Sequence, residues 1–443
     1  MKNIKKIALF LFVLALSSEY LAAQPMNYVE ESKKVIYELK DQQFDKVYSR
    51  FDTVVSKILT KEKLEATWKS FIQQVGEFKS IEKDTSYQYQ NFPLVVLTVK
   101  FEKMDFNFIF AFNSSNQLNT FRITPANQAA TYKNPPYTML QNFNDKAVYF
   151  GKDDWKLPGT LYTPRSEVKH PAIVLVHGSG PNDRDETIGP NKVFKDLSLG
   201  LATKGITVLT YDKRTKVYAD KMVSMKNLTI NEEVIEDALE AVKFLKSQPD
   251  VDAKRIFLLG HSLGAMLAPK IAQQCPDLAG IIMMAAPSGK LEDIVLEQIY
   301  YINNLDGKID SSEKEQLDTL KAQIARVKSP ELNDSMPQSL LPLGSPATYW
   351  IELNKYNQVE TAKKIKIPMY ILQGERDYQV NMAQYEVWKK ELKNMPNVSF
   401  KSYVSLYHLF IPGVGKSTPS EYMTEGHVSS DVIDDIFNWI QTK

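Results

Sequence analysis

Cysteine is almost absent. Cys275 stands alone among 443 residues, which excludes an intramolecular disulfide and any metal site built from several thiolates. A surplus of one charge sign is missing as well. Lys and Arg number 54 against 53 Asp and Glu, and without a clustered basic excess nucleic acid is not expected as a partner. Internal repeats and low-complexity tracts are also lacking. The apolar run Ile7 to Leu16 is ten residues long, short of the about 20 that a membrane span requires. No cysteine follows it, so a lipid anchor through that residue is excluded. Lys2, Lys5 and Lys6 precede the run and small residues to Ala23 follow it, the pattern of a signal peptide over 1–23. The mature chain is therefore expected in the periplasm or outside the cell, with no stable membrane anchor; an uncleaved anchor extended by Tyr20 and Leu21 is the alternative.

What is present is an ordinary globular composition, 43% hydrophobic and 24% charged, long enough for about two to three domains at roughly 150 residues each. Residues 27–124 open with amphipathic helical spacing, as in Phe44, Val47, Tyr48 and Phe51, and again in Leu64, Trp68, Phe71 and Ile72. They then turn to β-rich runs at Leu94 to Phe101, Phe106 to Phe112 and Leu118 to Ile123, with Asn113 to Asn116 as a turn. This predicts a small α+β domain. A Pro, Asn and Gln-rich stretch marks a linker within 125–146. From 147 to 443 a hairpin is followed by short apolar runs, Ala172 to Val176, Ile206 to Tyr211, Ile256 to Leu259, Gly280 to Ala285, Met369 to Gln373 and Val398 to Val404, alternating with helical segments. That alternation predicts a doubly wound, mostly parallel α/β sheet. A charged, largely helical insertion over 287–364 breaks the pattern. Its Asp306 to Asp310 segment lacks the carboxylate spacing of a calcium loop and reads as a turn between helices.

Gly260-His261-Ser262-Leu263-Gly264 lies between a strand and a helix. A nucleophile on so tight a turn has strained backbone angles and neighbours too close for side chains, which is why glycines flank it. Serine needs a base, and the base an orienting carboxylate. With the order serine, acid, histidine, only His408 and His427 of the five histidines follow Ser262. His408 leaves the strand Val398 to Val404 and is the chosen base, while His427 reads as a surface or capping residue. Asp377, in the loop after Met369 to Gln373 and 31 residues before His408, is the chosen acid, with Glu375 its competitor. His177-Gly178-Ser179-Gly180 ends another strand, and the amides of Ser179 and Leu263 are the expected oxyanion donors. His177, His261 and His170 read as scaffold. The charged run Asp183 to Glu186 either braces against Asp212 to Arg214 or is simply solvated.

With these residues in place, 147–443 resembles the serine α/β-hydrolase superfamily. His177 to Glu186 with Tyr211 to Thr215 is similar to its bacterial carboxylesterase and serine-aminopeptidase-like branch. Residues 27–124 resemble DUF3887, a domain of unknown function with an NTF2-like shape found ahead of secreted esterases. The resemblance implies Ser262 as nucleophile, Asp377 as acid and His408 as base, with no cofactor and no metal. Tyr407 departs from the asparagine common before the histidine, which bears on substrate more than on mechanism. The expected activity is hydrolysis of small short-chain acyl esters through an acyl-enzyme. A peptidase or acyltransferase with the same triad, or a non-catalytic binding protein of this fold, are the alternatives.

Overall fold

The computed structural model describes residues 26–89, 92–113, 115–126 and 132–443; the expected signal peptide lies outside the described residues. The chain divides into two compact units, 1–128 and 129–443.

In the first unit, helices α1 (Tyr28–Lys40), α2 (Phe44–Tyr48), α3 (Thr53–Ile58) and α4 (Lys61–Val75) precede a four-stranded antiparallel sheet of β1 (Phe78–Tyr89), β2 (Phe92–Phe101), β3 (Asp105–Phe112) and β4 (Leu118–Pro125), paired in chain order. Asn27 and Thr60 cap α1 and α4 by accepting from the amides of Glu30 and Lys63. The inward faces of α1 and α4 set Val35, Leu39, Leu64 and Trp68 against Val95, Leu97, Phe101 and Phe108 of the sheet. Strand β1 is not foreseen from its sequence. It is an edge strand that pairs only with β2, so solvated Lys, Glu and Asp side chains hide its period.

The second unit is an eight-stranded sheet with helices on both faces. Its strands are β5 (Phe143–Phe150), β6 (Leu157–Pro164), β7 (His170–Val176), β8 (Thr207–Tyr211), β9 (Val251–His261), β10 (Gly280–Met284), β11 (Met369–Gly374) and β12 (Val398–Tyr403). They lie in the order β12-β11-β10-β9-β7-β8-β6-β5. The β5–β6 and β6–β8 pairs are antiparallel and the remaining pairs parallel. Strands β7, β8, β10 and β11 are buried along their whole length, as continuous apolar runs require. One expectation fails here. Val398 to Val404 reads as a fully covered strand, yet β12 is outermost, mostly half-buried, and ends at a Val404 that is 75% exposed.

One face carries α6 (Glu236–Lys246) and α7 (Leu263–Gln274), the other α5 (Val193–Thr203) and α12 (Ser430–Gln441). This unit also begins earlier than the expected boundary at 147: Tyr132 donates to Asp196 at 2.5 Å, Tyr137 donates to the Val428 carbonyl at 2.9 Å, and β5 starts at Phe143. Part of the expected linker is therefore packed structure, because its tyrosines find buried acceptors.

The insertion leaves β10 and returns before β11. It begins with α8 (Leu291–Asn303) and α9 (Ser311–Lys328), joined by a turn in which Asp310 and Glu313 form a reciprocal cap. It continues with α10 (Ala347–Lys355) and α11 (Gln358–Ala362). Tyr356 donates to the Met266 carbonyl at 2.8 Å and Lys270 pairs with Glu352 at 2.7 Å, fastening the insertion to α7. Among the described residues no helix is long and apolar enough to cross a membrane.

Candidate active site

Ser262 sits between β9 and α7 with φ 53°, the left-handed region where a side chain is strained. Its amide donates to the Met284 carbonyl at 2.9 Å and its carbonyl accepts from Met266 at 2.9 Å, so both neighbours hold the turn. The flanking glycines are obligatory. A Cβ on Gly260 would lie 2.3 Å from the Gly264 carbonyl, and one on Gly264 would lie 2.2 Å from the Val176 carbonyl. This close approach lets β9 turn directly into α7, whose first amides have no intrahelical partners.

Asp377 and His408 are 3% and 4% exposed, and Asp377 Oδ2 meets His408 Nδ1 at 2.7 Å. The other carboxylate oxygen accepts from the amides of Gln379 at 2.8 Å and Val380 at 3.0 Å. Asp377 is thus locked by its own loop, and His408 has Nε2 left to exchange a proton. The acid and base loops lie against each other because Gly374 has no side chain: a Cβ there would fall 2.5 Å from the Leu406 carbonyl. Glu375 is exposed and accepts from Ser402, while Arg376 pairs with Glu421 at 2.6 Å rather than with its neighbour.

His261 joins the two halves of the site. Its Nε2 lies 3.0 Å from the His408 carbonyl, and the two rings are 4.8 Å apart. Its Nδ1 lies 3.0 Å from Glu186 Oε2, and Glu186 Oε1 accepts from the Gly178 amide at 2.8 Å. Burial is the strongest single influence, pushing the Glu186 carboxyl up and the His261 imidazole down, but the partner's charge, hydrogen bonding and neighbouring charges together outweigh it, so Glu186 is lowered and His261 raised. Gly178 in turn lies beside the nucleophile turn, since a Cβ on it would be 3.3 Å from Ser262 Cβ. Among the described residues no protein acceptor takes the N–H of Ser179 or of Leu263.

The remaining histidines lie elsewhere in these networks. His177 is buried, its Nε2 lies 3.0 Å from the Asp183 carbonyl, and burial pushes its imidazole down to about 4. His427 contacts Asp196 at 3.2 Å, and His170 contacts Ser166 at 3.0 Å. The charged loops brace rather than float. Arg184 meets Asp212 at 2.8 Å, Lys192 meets Asp185 at 2.8 Å, and buried Lys213 meets Glu233 at 2.5 Å. Glu186, His261 and Lys213 are therefore part of the site although sequence reasoning treats them as scaffold or loop charge. The only local signal for them is a dense charged run beside a glycine turn.

A cavity of about 790 Å³ opens between α8 and the acid loop, with Tyr300, Tyr301, Tyr378, Asp377 and Lys416 in its wall. It reaches the site through Asp377, not Ser262, so the chemistry is placed by the pairing geometry rather than by this cavity. The apolar residues of the insertion divide. Leu341, Tyr349 and Trp350 are buried in the core that α7 shares, whereas Tyr300, Leu340 and Leu343 are exposed.

Residues 169–412 match the family described as serine aminopeptidase, S33, and residues 32–121 match the protein of unknown function DUF3887. Esterase EstD of Thermotoga maritima is 37% identical over 411 residues, covering 93% of this chain and 95% of that protein. Thiohydrolase apmlB of Arthrinium phaeospermum is 34% identical over 126 residues, 28% of this chain and 37% of that one. Among solved structures, Est1E from Butyrivibrio proteoclasticus is 15% identical with a TM-score of 0.44, covering 67% of this chain and 99% of that one. With the family match spanning more than half the sequence and the first relative nearly all of it, the chain belongs to the serine aminopeptidase S33 family of α/β hydrolases, with a DUF3887 domain preceding the hydrolase unit.

Proposed function

We propose that the protein is a serine carboxylesterase that hydrolyses short-chain acyl esters through an acyl-enzyme. The observation that carries this reading is the buried Asp377–His408 pair at 2.7 Å, tied by the His408 carbonyl to His261, the residue before strained Ser262. Ser262 Oγ attacks the acyl carbonyl as His408 Nε2 takes its proton, and Asp377 holds the ring and steadies the imidazolium. The oxyanion is met by the amides of Ser179 and Leu263. His408 returns the proton to the departing alcohol, and a water activated by the same nitrogen releases the acid. The esterase name of a relative aligned over 93% of the chain supports an ester over an amide substrate. The lysines before Ile7 to Leu16 support action outside the cytoplasm.

Ser262→Ala is expected to keep the fold and lower turnover of nitrophenyl acetate by several orders of magnitude. Near-normal turnover would overturn the reading. In the wild-type protein, aminoacyl anilides cleaved faster than nitrophenyl esters would favour a peptidase instead.

A further inference from the structure

Lysine is rarely buried without a partner, and the Lys213 side chain is only 3% exposed at the end of β8. Part of its environment is ordinary, for its Nζ pairs with Glu233 Oε1 at 2.5 Å. Glu233 also faces the buried phenol of Tyr349 from the insertion. The other contact is not needed for charge balance: Nζ donates to the carbonyl of Gly178 at 2.9 Å. Asn182 Nδ2 donates to the same carbonyl at 3.3 Å, and Glu186 accepts from the Gly178 amide at 2.8 Å. Three side chains therefore grip one glycine.

The carbonyl of Gly178 and the N–H of Ser179 belong to one peptide plane, and in a trans peptide they point in opposite directions. Fixing the oxygen fixes the hydrogen. This plane needs fixing because glycines stand on both sides of Ser179, Gly180 has φ 90°, and Ser179 and Gly180 are exposed. Such a segment rotates its peptides at little steric cost. A charged donor on the carbonyl is stronger than a neutral one and also polarises the amide toward better donation.

We propose that Lys213 is a positioning residue for acyl transfer: by holding the Gly178 carbonyl it aims the Ser179 N–H at the oxyanion. The inference rests on the esterase reading with Ser262 as nucleophile. It differs from the plainer role in which Lys213 merely neutralises Glu233.

The experiment compares wild type with Lys213→Met and with Lys213→Met/Glu233→Gln, folding being followed by circular dichroism. The double variant removes both buried charges, so it remains informative if the single variant, with Glu233 left unpaired, does not fold. In the double variant kcat on nitrophenyl acetate is expected to fall about 10- to 100-fold, less than the loss of an entire oxyanion donor, while KM changes less than about threefold. The inhibition constant of a trifluoromethyl ketone, whose serine adduct carries an oxyanion, should rise by a similar factor. That of the matching methyl ketone should stay within about twofold. A folded double variant with wild-type kcat, or one whose trifluoromethyl ketone affinity is unchanged, overturns the proposal. Ser262→Ala run alongside separates the two failures: an active Ser262→Ala defeats the esterase reading, whereas an inactive one beside a normal double variant defeats only the role of Lys213.

Discussion

His408 with Asp377 and His261 with Glu186 are both buried imidazole–carboxylate pairs, at 2.7 Å and 3.0 Å, with their rings 4.8 Å apart. They differ in what the second ring nitrogen does. In His261 the second nitrogen is occupied by the His408 carbonyl at 3.0 Å, and Glu186 spends its other oxygen on the Gly178 amide. That pair binds three segments together, with Nε2 taken by a carbonyl and Nδ1 facing the buried Glu186 carboxylate. In the His408 pair the carboxylate is satisfied by its own loop and Nε2 remains for chemistry. The difference teaches that a histidine–carboxylate contact alone does not mark a general base. A free nitrogen on a buried ring packed against His261, the residue before Ser262, does.

The largest effect should come from breaking the pair with the free nitrogen. His408→Ala is expected to lower kcat on nitrophenyl acetate by about 10⁴-fold or more. His427→Ala, which removes only contacts to Asp196 and the Tyr132 ring away from the Asp377–His408 pair, should change it less than about twofold. Steady-state kinetics on the two purified variants decides between them, and a severe His427 variant beside a mild His408 variant would reverse the assignment of the base.

An intermediate effect is expected from the structural pair. Glu186→Gln removes the buried carboxylate that raises the His261 imidazole, and breaking a buried pair of this kind costs about 3–5 kcal/mol of stability. Thermal unfolding should show a lowered Tm, and kcat should fall about 10- to 100-fold because the Gly178 loop and His408 backbone lose their common anchor. A variant with wild-type Tm and kcat would show that the pair holds nothing.

The smallest effect concerns His177, a fully buried imidazole whose hydrogen-bond partner is a neutral carbonyl. Its folded value of about 4 lies below the ordinary 6.5, and burial is the largest cause. Below pH 6.5 the unfolded chain takes up a proton there that the folded chain refuses. Its contribution is therefore full above 6.5 and is lost as pH falls toward 4, up to about 3 kcal/mol. Urea unfolding across that window should show His177→Gln with a shallower pH dependence than wild type. Parallel slopes would contradict this.

Much of this was legible in the sequence, for a physical reason. Central strands such as β7 and β10 are covered on both faces, so their composition alone marks them, and the glycines around Ser262 are demanded by contacts as close as 2.2 Å. Edge strands escape that logic in both directions. Strand β1 is too polar to be noticed, and β12 is apolar enough to suggest a covered strand that it is not. The Ser262, Asp377 and His408 positions follow from strand ends and chain order. Glu186 and Lys213 do not, because their roles arise from partners 75 and 35 residues away, His261 and Gly178, and no local pattern records such a partnership.

With Ser262 as nucleophile, His408 as its base and the His261 pair serving position alone, labelling by a fluorophosphonate followed by peptide mass spectrometry should yield a single adduct on Ser262 in wild type. It should form at an undiminished rate in His427→Ala and at least about 10³-fold more slowly in folded His408→Ala. An adduct on another serine, or rapid labelling of Ser262 without His408, would contradict this assignment.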